Sequence, residues 1–334
     1  MNKKTALVTG GNGFIGAHLC KRLRDEGYWI RSADMAEYEY GEHPANEVVI
    51  IDLAEDRQKT FNVFKHPTIP TRGVDEVYCL SCLMGGAGFV FTGENDSEIL
   101  TNSLSCNINS ILACEQLGIK KVFYSSSACC YNHLLQLDPN NPGLREDMAW
   151  PAFPDSAYGK EKLISEDIFL AYQRNHGIDV KIARFHNIFG PNGKWVGGKE
   201  KAPAAICRKV LMANSGDEIE IWGDGEQTRS FLYIDECIDG IMMLMDSDFS
   251  GPVNIGSDEL ISINSLVDLA CSFENKKLIK NHIPGPLGVR GRNSDNTLIK
   301  EKLGWAPDYP LAKGLEKTYF WIKEQIELSK NQNK

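Results

Sequence analysis

Residues 125–131 read Ser-Ser-Ser-Ala-Cys-Cys-Tyr, a serine run that closes an apolar stretch and passes straight into two adjacent cysteines. Thiols so placed are structural, metal-binding, redox-active or catalytic, and the segment alone does not choose among these. Tyr158-Gly-Lys-Glu-Lys162 lies about thirty residues on. Its tyrosine and second lysine fall one turn apart on a single helix face. A nearby cation favours the phenolate, which suits the tyrosine to taking a hydroxyl proton during hydride transfer. Ser127 supplies a hydroxyl for the reacting oxygen; its plain alternative is a strand-end cap.

Near the N-terminus, Gly10-x-x-Gly13-x-x-Gly16 follows the apolar run Thr-Ala-Leu-Val-Thr and opens a helix-periodic segment that begins Phe14-Ile15. Glycines there let the backbone approach a pyrophosphate, whose charge meets the helix N-terminus. The three glycines with Phe14 and Ile15 are the expected cradle of a dinucleotide. Asp34 ends the next strand, where a carboxylate accepts the ribose hydroxyls and repels a 2′-phosphate, so NAD is expected over NADP. Asp52 stands where it either reaches the adenine or caps a turn.

The elements that must position these groups follow a regular order. Apolar strands ("TALVTGG", "WIRSADM", "EVVIIDL", "VDEVYCLSCL", "KKVFYSSS", "DVKIARFHNIFGP") alternate with helical segments, the pattern of a parallel sheet covered on both faces. The fold expected is α/β: a Rossmann-type, doubly wound sheet over residues 1–185, then a smaller mixed lobe over 186–334 with segments that cross back. Past residue 185 the pattern turns irregular, beginning with the glycine-rich "GPNGKWVGGKEKAP".

Composition narrows the class. The 334 residues, 42% hydrophobic and 24% charged, suffice for a sizeable core. A net charge of −9 argues against nucleic acid as a partner. The sequence carries neither an apolar run of transmembrane length nor a secretory leader, so no membrane partner and a cytoplasmic location are expected. There the ten cysteines stay reduced. Cys20, Cys106, Cys114, Cys207, Cys237 and Cys271 read as small core hydrophobes, and Cys79-x-x-Cys82 lacks a second pair at zinc spacing, so no metal is expected. His186 reads as a core histidine.

Taken together these motifs resemble the extended short-chain dehydrogenase/reductase family, the NAD-dependent epimerases and dehydratases that modify nucleotide sugars. The resemblance spans the whole chain. Blocks such as "LMGGAGF", "SAYGKEK", "GKEKAPAA", "WGDGEQTRSF" and "GVRGRNSDN" are similar to the 3,5-epimerases within it. It implies NAD as cofactor and a GDP-hexose as substrate, GDP-mannose first, converted to GDP-L-galactose. C4 is oxidised transiently with Tyr158 as base beside Lys162 and Ser127. Cys129 and Lys201 then serve as the acid–base pair that inverts C3 and C5, and the hydride returns. Cys129 occupies the position where dehydratases carry a glutamate and 4-epimerases a threonine. The resemblance places Gly85, Gly86, Asn187, Lys209, Gln227, Arg229, Arg290 and Arg292 around the nucleotide sugar, with Arg290 equally readable as a surface ion pair, and it implies a homodimer through helices near 101–117 and 156–175. Cys130 is expected to pack into the core. Leu83 departs from the aspartate usual before Met-Gly-Gly. A 4-epimerase, a 4,6-dehydratase and a non-catalytic NAD-sensing scaffold are the alternatives.

Overall fold

The computed structural model describes residues 3–332. In chain order the elements are β1 (Thr5–Thr9), α1 (Phe14–Asp25), β2 (Trp29–Asp34), β3 (Glu47–Ile50), α2 (Arg57–Val63), β4 (Glu76–Cys79), α3 (Ala87–Val90), α4 (Asp96–Gln116), β5 (Lys121–Ser127), α5 (Ala157–His176), β6 (Asp179–Phe185), β7 (Ile188–Phe189), α6 (Ala202–Met212), β8 (Glu218–Trp222), β9 (Thr228–Ser230), β10 (Leu232–Tyr233), α7 (Ile234–Asp246), β11 (Val253–Ile255), β12 (Leu260–Ser262), α8 (Ile263–Ser272), β13 (Ile279–Ile283), β14 (Gly291–Arg292), α9 (Thr297–Leu303) and α10 (Leu311–Gln332).

Seven strands form one parallel sheet in the order β11-β6-β5-β4-β1-β2-β3. Its central strands are apolar at consecutive positions because both faces are buried. Ala6, Val8, Tyr78 and Phe123 face one layer, with Leu19 and Leu23 of α1 and Ile241 and Leu244 of α7. Leu7, Val77, Val122 and Tyr124 face the other, against Cys114 of α4 and Phe169 of α5. The sequence reading places six strands before residue 186, and the seventh, β11, comes from beyond that boundary: it pairs Val253 with Ala183 and Ile255 with Phe185. The remaining strands make small sheets, β12-β9-β14, β13-β8 and β10-β7.

Helix α5 carries the tyrosine–lysine pair and is fixed at both ends. Ser156 Oγ accepts from Gly159 N at its start, and Gly177 ends it in the left-handed conformation with φ 64°. Near the C-terminal ends of β5 and β6, Arg184 forks onto Glu166 of α5 at 2.9 and 2.7 Å, and Ser126 donates to the same carboxylate. Both side chains of the ion pair are only 3% exposed, so losing either would strand a buried charge at a cost of roughly 3–5 kcal/mol. These bonds lock α5 to β5 and β6.

Candidate active site

Ser127 is the last residue of β5, and the chain turns at once through a short 3-10 segment, Ala128–Cys130. Ser127 Oγ accepts from Cys129 N at 3.2 Å, so the hydroxyl does cap this turn. The cap also fixes the two cysteines in opposite environments. Cys130 is fully buried among Ala128, Tyr131, Leu144 and Leu163, and burial pushes its thiol well above the usual range. Cys129 stays partly exposed and joins the rim of an apolar cluster around Val90, Ile99 and Tyr158, with Cys82, Leu83, Met84, Phe89 and Phe91 on the same rim.

Arg292, brought in by β14, meets this thiol: its Nη1 donates to Cys129 Sγ at 3.1 Å. The guanidinium is almost completely enclosed, with Nη2 donating to Asp155 Oδ2 at 2.7 Å and Nε to Gln136 Oε1 at 2.5 Å. Sequence reading found Arg292 but missed Asp155 and Gln136; an aspartate three residues before Tyr158 was the available signal. A cation bonded to a thiol favours the thiolate, the form that takes protons.

Tyr158 and Lys162 sit where the helix reading puts them, on one face of α5. Lys162 is buried with Nζ donating to Ser125 O at 3.0 Å and lies 5.6 Å from the Tyr158 ring centroid. Burial opposes its charge, but Cys82, Glu161, Cys79 and Glu166 outweigh that and hold its pKa above the ordinary lysine value. Tyr158 runs against the expectation. Burial pushes its hydroxyl well above the usual tyrosine range, and of the neighbours Ser127 opposes this. The lysine cation by itself therefore does not give a phenolate.

Lys201 is the residue before α6, partly buried, and its ammonium is pulled below the ordinary lysine range by burial, with Cys129 opposing the shift. Gly86 explains how that loop is held. A Cβ on Gly86 would lie 2.5 Å from Glu200 O, so only glycine lets "LMGGAGF" approach the residue beside Lys201. Gly85 lies against Phe89.

The cations of the second lobe divide into two kinds. Arg229 sits in β9 directly opposite Arg292 of β14 and is tied only to carbonyls, those of Thr228, Leu287 and Val289. Burial and then Arg292 lower its pKa to about 9, the condition of a buried cation short of an anion. Next to it Gln227 holds Trp222 O through Nε2 while its buried Oε1 has no partner among the described residues, and Ser230 Oγ is likewise buried and unpartnered. Asn187, at φ 45°, donates to Ser230 O at 2.9 Å. The other kind is peripheral: Arg290 makes an exposed ion pair with Asp224 at 2.8 Å, and Lys209 donates to Glu220 O at 2.9 Å. His186 is buried and neutral, its pKa lowered to about 3 by burial. Because Asn254 Nδ2 donates to Leu144 O, Asn254 Oδ1 is the acceptor and His186 Nε2 the donor at 3.0 Å, while Nδ1 has no partner among the described residues. The reading of a satisfied core histidine holds for one nitrogen only.

The dinucleotide cradle fits NAD on its own geometry. A Cβ on Gly16 would fall 2.2 Å from Gly10 O, so the first turn of α1, with Phe14 and Ile15, closes directly onto the loop. Gly13 caps α1 without a side chain, which leaves the helix N-terminus open to an anion. Asp34 Oδ2 accepts from Asn12 N at 3.1 Å at the edge of that loop; burial raises its carboxyl, with backbone N–H groups of Ala36, Asn12, Met35 and Gly13 opposing. Asp52 is occupied as a turn cap, accepting from Ala54 N at 2.8 Å, with Asn102 Nδ2 at 3.3 Å. Among the described residues no group of His, Cys, Asp and Glu could hold a metal, and no helix is long and apolar enough to cross a membrane.

Residues 6–256 match the model of the NAD dependent epimerase/dehydratase family. The chain is 49% identical over 325 residues to GDP-mannose 3,5-epimerase of Arabidopsis thaliana, covering 97% of this chain and 83% of that protein. It is 49% identical to GDP-mannose 3,5-epimerase 1 of Oryza sativa subsp. japonica over the same shares. Among solved structures it is similar to a UDP-glucose 4-epimerase with UDP-glucose from Thermotoga maritima, with a TM-score of 0.84, 23% identity and coverage of 96% and 99% of the two chains; this likeness carries the fold alone.

Proposed function

This chain belongs to the NAD dependent epimerase/dehydratase family, and from that premise we propose that it inverts C3 and C5 of GDP-mannose, giving GDP-L-galactose. The observation that carries the proposal is the partly exposed thiol of Cys129, two residues past Ser127, with Arg292 Nη1 bonded to its sulfur. A simple 4-epimerase has no use for a thiol held in this way. The relatives at 49% identity, named for the 3,5-epimerisation of GDP-mannose, support the substrate.

Residues Gly10, Gly13, Phe14, Ile15, Gly16 and Asp34 would hold NAD. When bound, NAD supplies hydride acceptance and return at C4, and the proton chemistry falls to the chain. Tyr158 takes the C4 hydroxyl proton while Ser127 bonds the same oxygen and Lys162 balances the charge. A 4-ketone acidifies the protons on both flanking carbons, so each can be removed as an enolate forms. Cys129 as thiolate takes the proton from one ring face, and Lys201 as ammonium delivers one to the other. Arg229, with Gln227, Asn187 and the more exposed Lys209 and Arg290, faces the nucleotide diphosphate and sugar; guanidinium forks match such oxygens. Gly85 and Gly86 leave room for the hexose. The reaction cleft lies between an NAD-binding domain, 1–185, and a substrate lobe, 186–334. The working form is a cytoplasmic homodimer, paired through the outer faces of α4 and α5, where Ile108 and Ile164 are exposed; mass in solution checks the dimer.

The deciding experiment incubates the NAD-loaded protein with GDP-mannose in deuterated water and follows the sugar by NMR. Deuterium at C3 and C5, L-configured products and no net cofactor reduction are expected. Inversion at C4 with no ring deuterium would instead mean a 4-epimerase, and the thiol would then have no part in the reaction.

Gly86→Ala tests the loop that presents Lys201. The added methyl must displace the Glu200 carbonyl, and a displacement near 1 Å at a catalytic group costs about 10²-fold. Turnover should fall by about that factor with NAD affinity unchanged, as calorimetric titration with NAD would show. Turnover within threefold of the parent would mean that Lys201 is not held by this contact.

A further inference from the structure

Arg292 does not face Cys129 alone. Its three donor edges are spent on three different acceptors: Nη1 on the thiol, Nη2 on Asp155 and Nε on Gln136. The ion pair with Asp155 is sealed, with side chains 5% and 8% exposed. Asp155 is held in its turn, since Ser156 Oγ donates to its Oδ1 at 2.9 Å while accepting from Gly159 N at the start of α5. One carboxylate thus connects the guanidinium on the thiol to the cap of the helix that carries Tyr158 and Lys162.

The charges around the sulfur explain why a carboxylate is useful there. Arg292 of β14 is bonded to the Cys129 sulfur, and two further cations, Arg229 of β9 and Lys201 at the start of α6, interact with it electrostatically, as do Tyr158 of α5 and Cys130, which are neutral when protonated; Cys82 belongs to the same apolar cluster. With three cations converging on one sulfur, an anion beside one of them lowers the net positive charge the sulfur meets. An acid–base group must do both: accept a proton in one half of the inversion and give it up in the other.

We propose that Asp155 is a positioning residue for the thiol: acting through Arg292, it orients the guanidinium onto the sulfur and offsets its charge. This rests on the reading of Cys129 as the acid–base group of a 3,5-epimerase, but its test needs no sugar. Gln136 is the neutral half of the same clamp and contributes orientation without charge.

The measurement is the rate of iodoacetamide alkylation of Cys129 against pH in the NAD-loaded enzyme. Peptide mass spectrometry separates Cys129 from Cys82, the other thiol that is not buried. Asp155→Asn keeps an oxygen for Nη2 and removes the charge, so the midpoint should move to lower pH by roughly one unit, the lower end of what a charge within 4–6 Å produces. Asp155→Glu keeps the charge and moves it by one methylene; its midpoint should stay near the parent's while deuterium exchange into GDP-mannose slows. A midpoint that does not move in Asp155→Asn, or that moves to higher pH, overturns the proposal. Should Asp155→Asn fail to bind NAD, Gln136→Glu decides: a second carboxylate on Arg292 should move the midpoint to higher pH, and any other result overturns it. Failure of GDP-mannose to exchange would count against the proposed substrate and leave the alkylation profile untouched.

Discussion

Cys129→Ser is expected to lower deuterium entry at C3 and C5 of GDP-mannose by about 10²–10⁴-fold, the range that one proton-transferring group contributes. Serine keeps the shape of the site. Arg292 Nη1, now 3.1 Å from the sulfur, still has an oxygen to meet, and the capping bond from residue 129 N to Ser127 Oγ is a backbone bond that the change leaves alone. What disappears is ionisation within reach of neutral pH: a thiol reference value is about 8.5, and an aliphatic hydroxyl has none in the physiological range. NAD and nucleotide sugar should therefore bind as before, and C4 oxidation, which the proposed mechanism assigns to Tyr158, should still occur. Lys201→Met is the partner experiment. With the acid on one face gone, the thiolate can remove a proton and return a deuteron to the same face, so exchange should outlast inversion. Exchange in Cys129→Ser within tenfold of the parent would remove the thiol from the mechanism.

The parts of this site that depend on short spacing were legible in the chain. Gly10, Gly13 and Gly16 needed only a strand before them and a helix after, Tyr158 and Lys162 only the helical repeat, and Ser127 only the end of β5, whereas the role expected of Cys129 came from the family resemblance and not from its spacing. Asp155 and Gln136 were not legible as partners of Arg292 because they lie 137 and 156 residues from it. Their meeting depends on the parallel register that sets Arg292 of β14 opposite Arg229 of β9, and a two-residue strand carries no periodicity to announce that. The same limit hid β11: three residues, Val253–Ile255, read as part of the second lobe and yet complete the main sheet beside β6. Single side chains with two uses divided the same way. Asp52 Oδ1 caps a turn, and Arg290 makes the exposed ion pair of its plainer reading; neither bond decides whether the residue also meets a ligand. Arg229, surrounded by carbonyls, kept its charge unmatched, a distinction of burial that composition does not contain.

Tyr158→Phe separates the two halves of the chemistry from the other side. Burial raises the Tyr158 hydroxyl well above the ordinary tyrosine range in the chain by itself, so at neutral pH it is a proton donor until opposing charge is brought to it. Lys162 is the protein's own source of that charge, held cationic in the core with Nζ on Ser125 O. The sign follows: the base form of Tyr158 is gained as pH rises, so C4 oxidation should increase on the alkaline side, and Lys162→Met, which removes the cation, should push that rise to still higher pH. Removing the hydroxyl altogether should lower C4 oxidation and every later step together by about 10²–10⁴-fold. The reading is single-turnover absorbance of the reduced nicotinamide after mixing with GDP-mannose: lost in Tyr158→Phe, kept in Cys129→Ser. If Tyr158→Phe retained both the absorbance change and ring exchange within tenfold of the parent, the C4 proton would have to leave through another group, and Ser127, the other hydroxyl at the end of β5, would be the one to replace next. If both variants lost the absorbance change, oxidation and inversion would share the thiol, and the division of labour between α5 and the turn after β5 would be wrong.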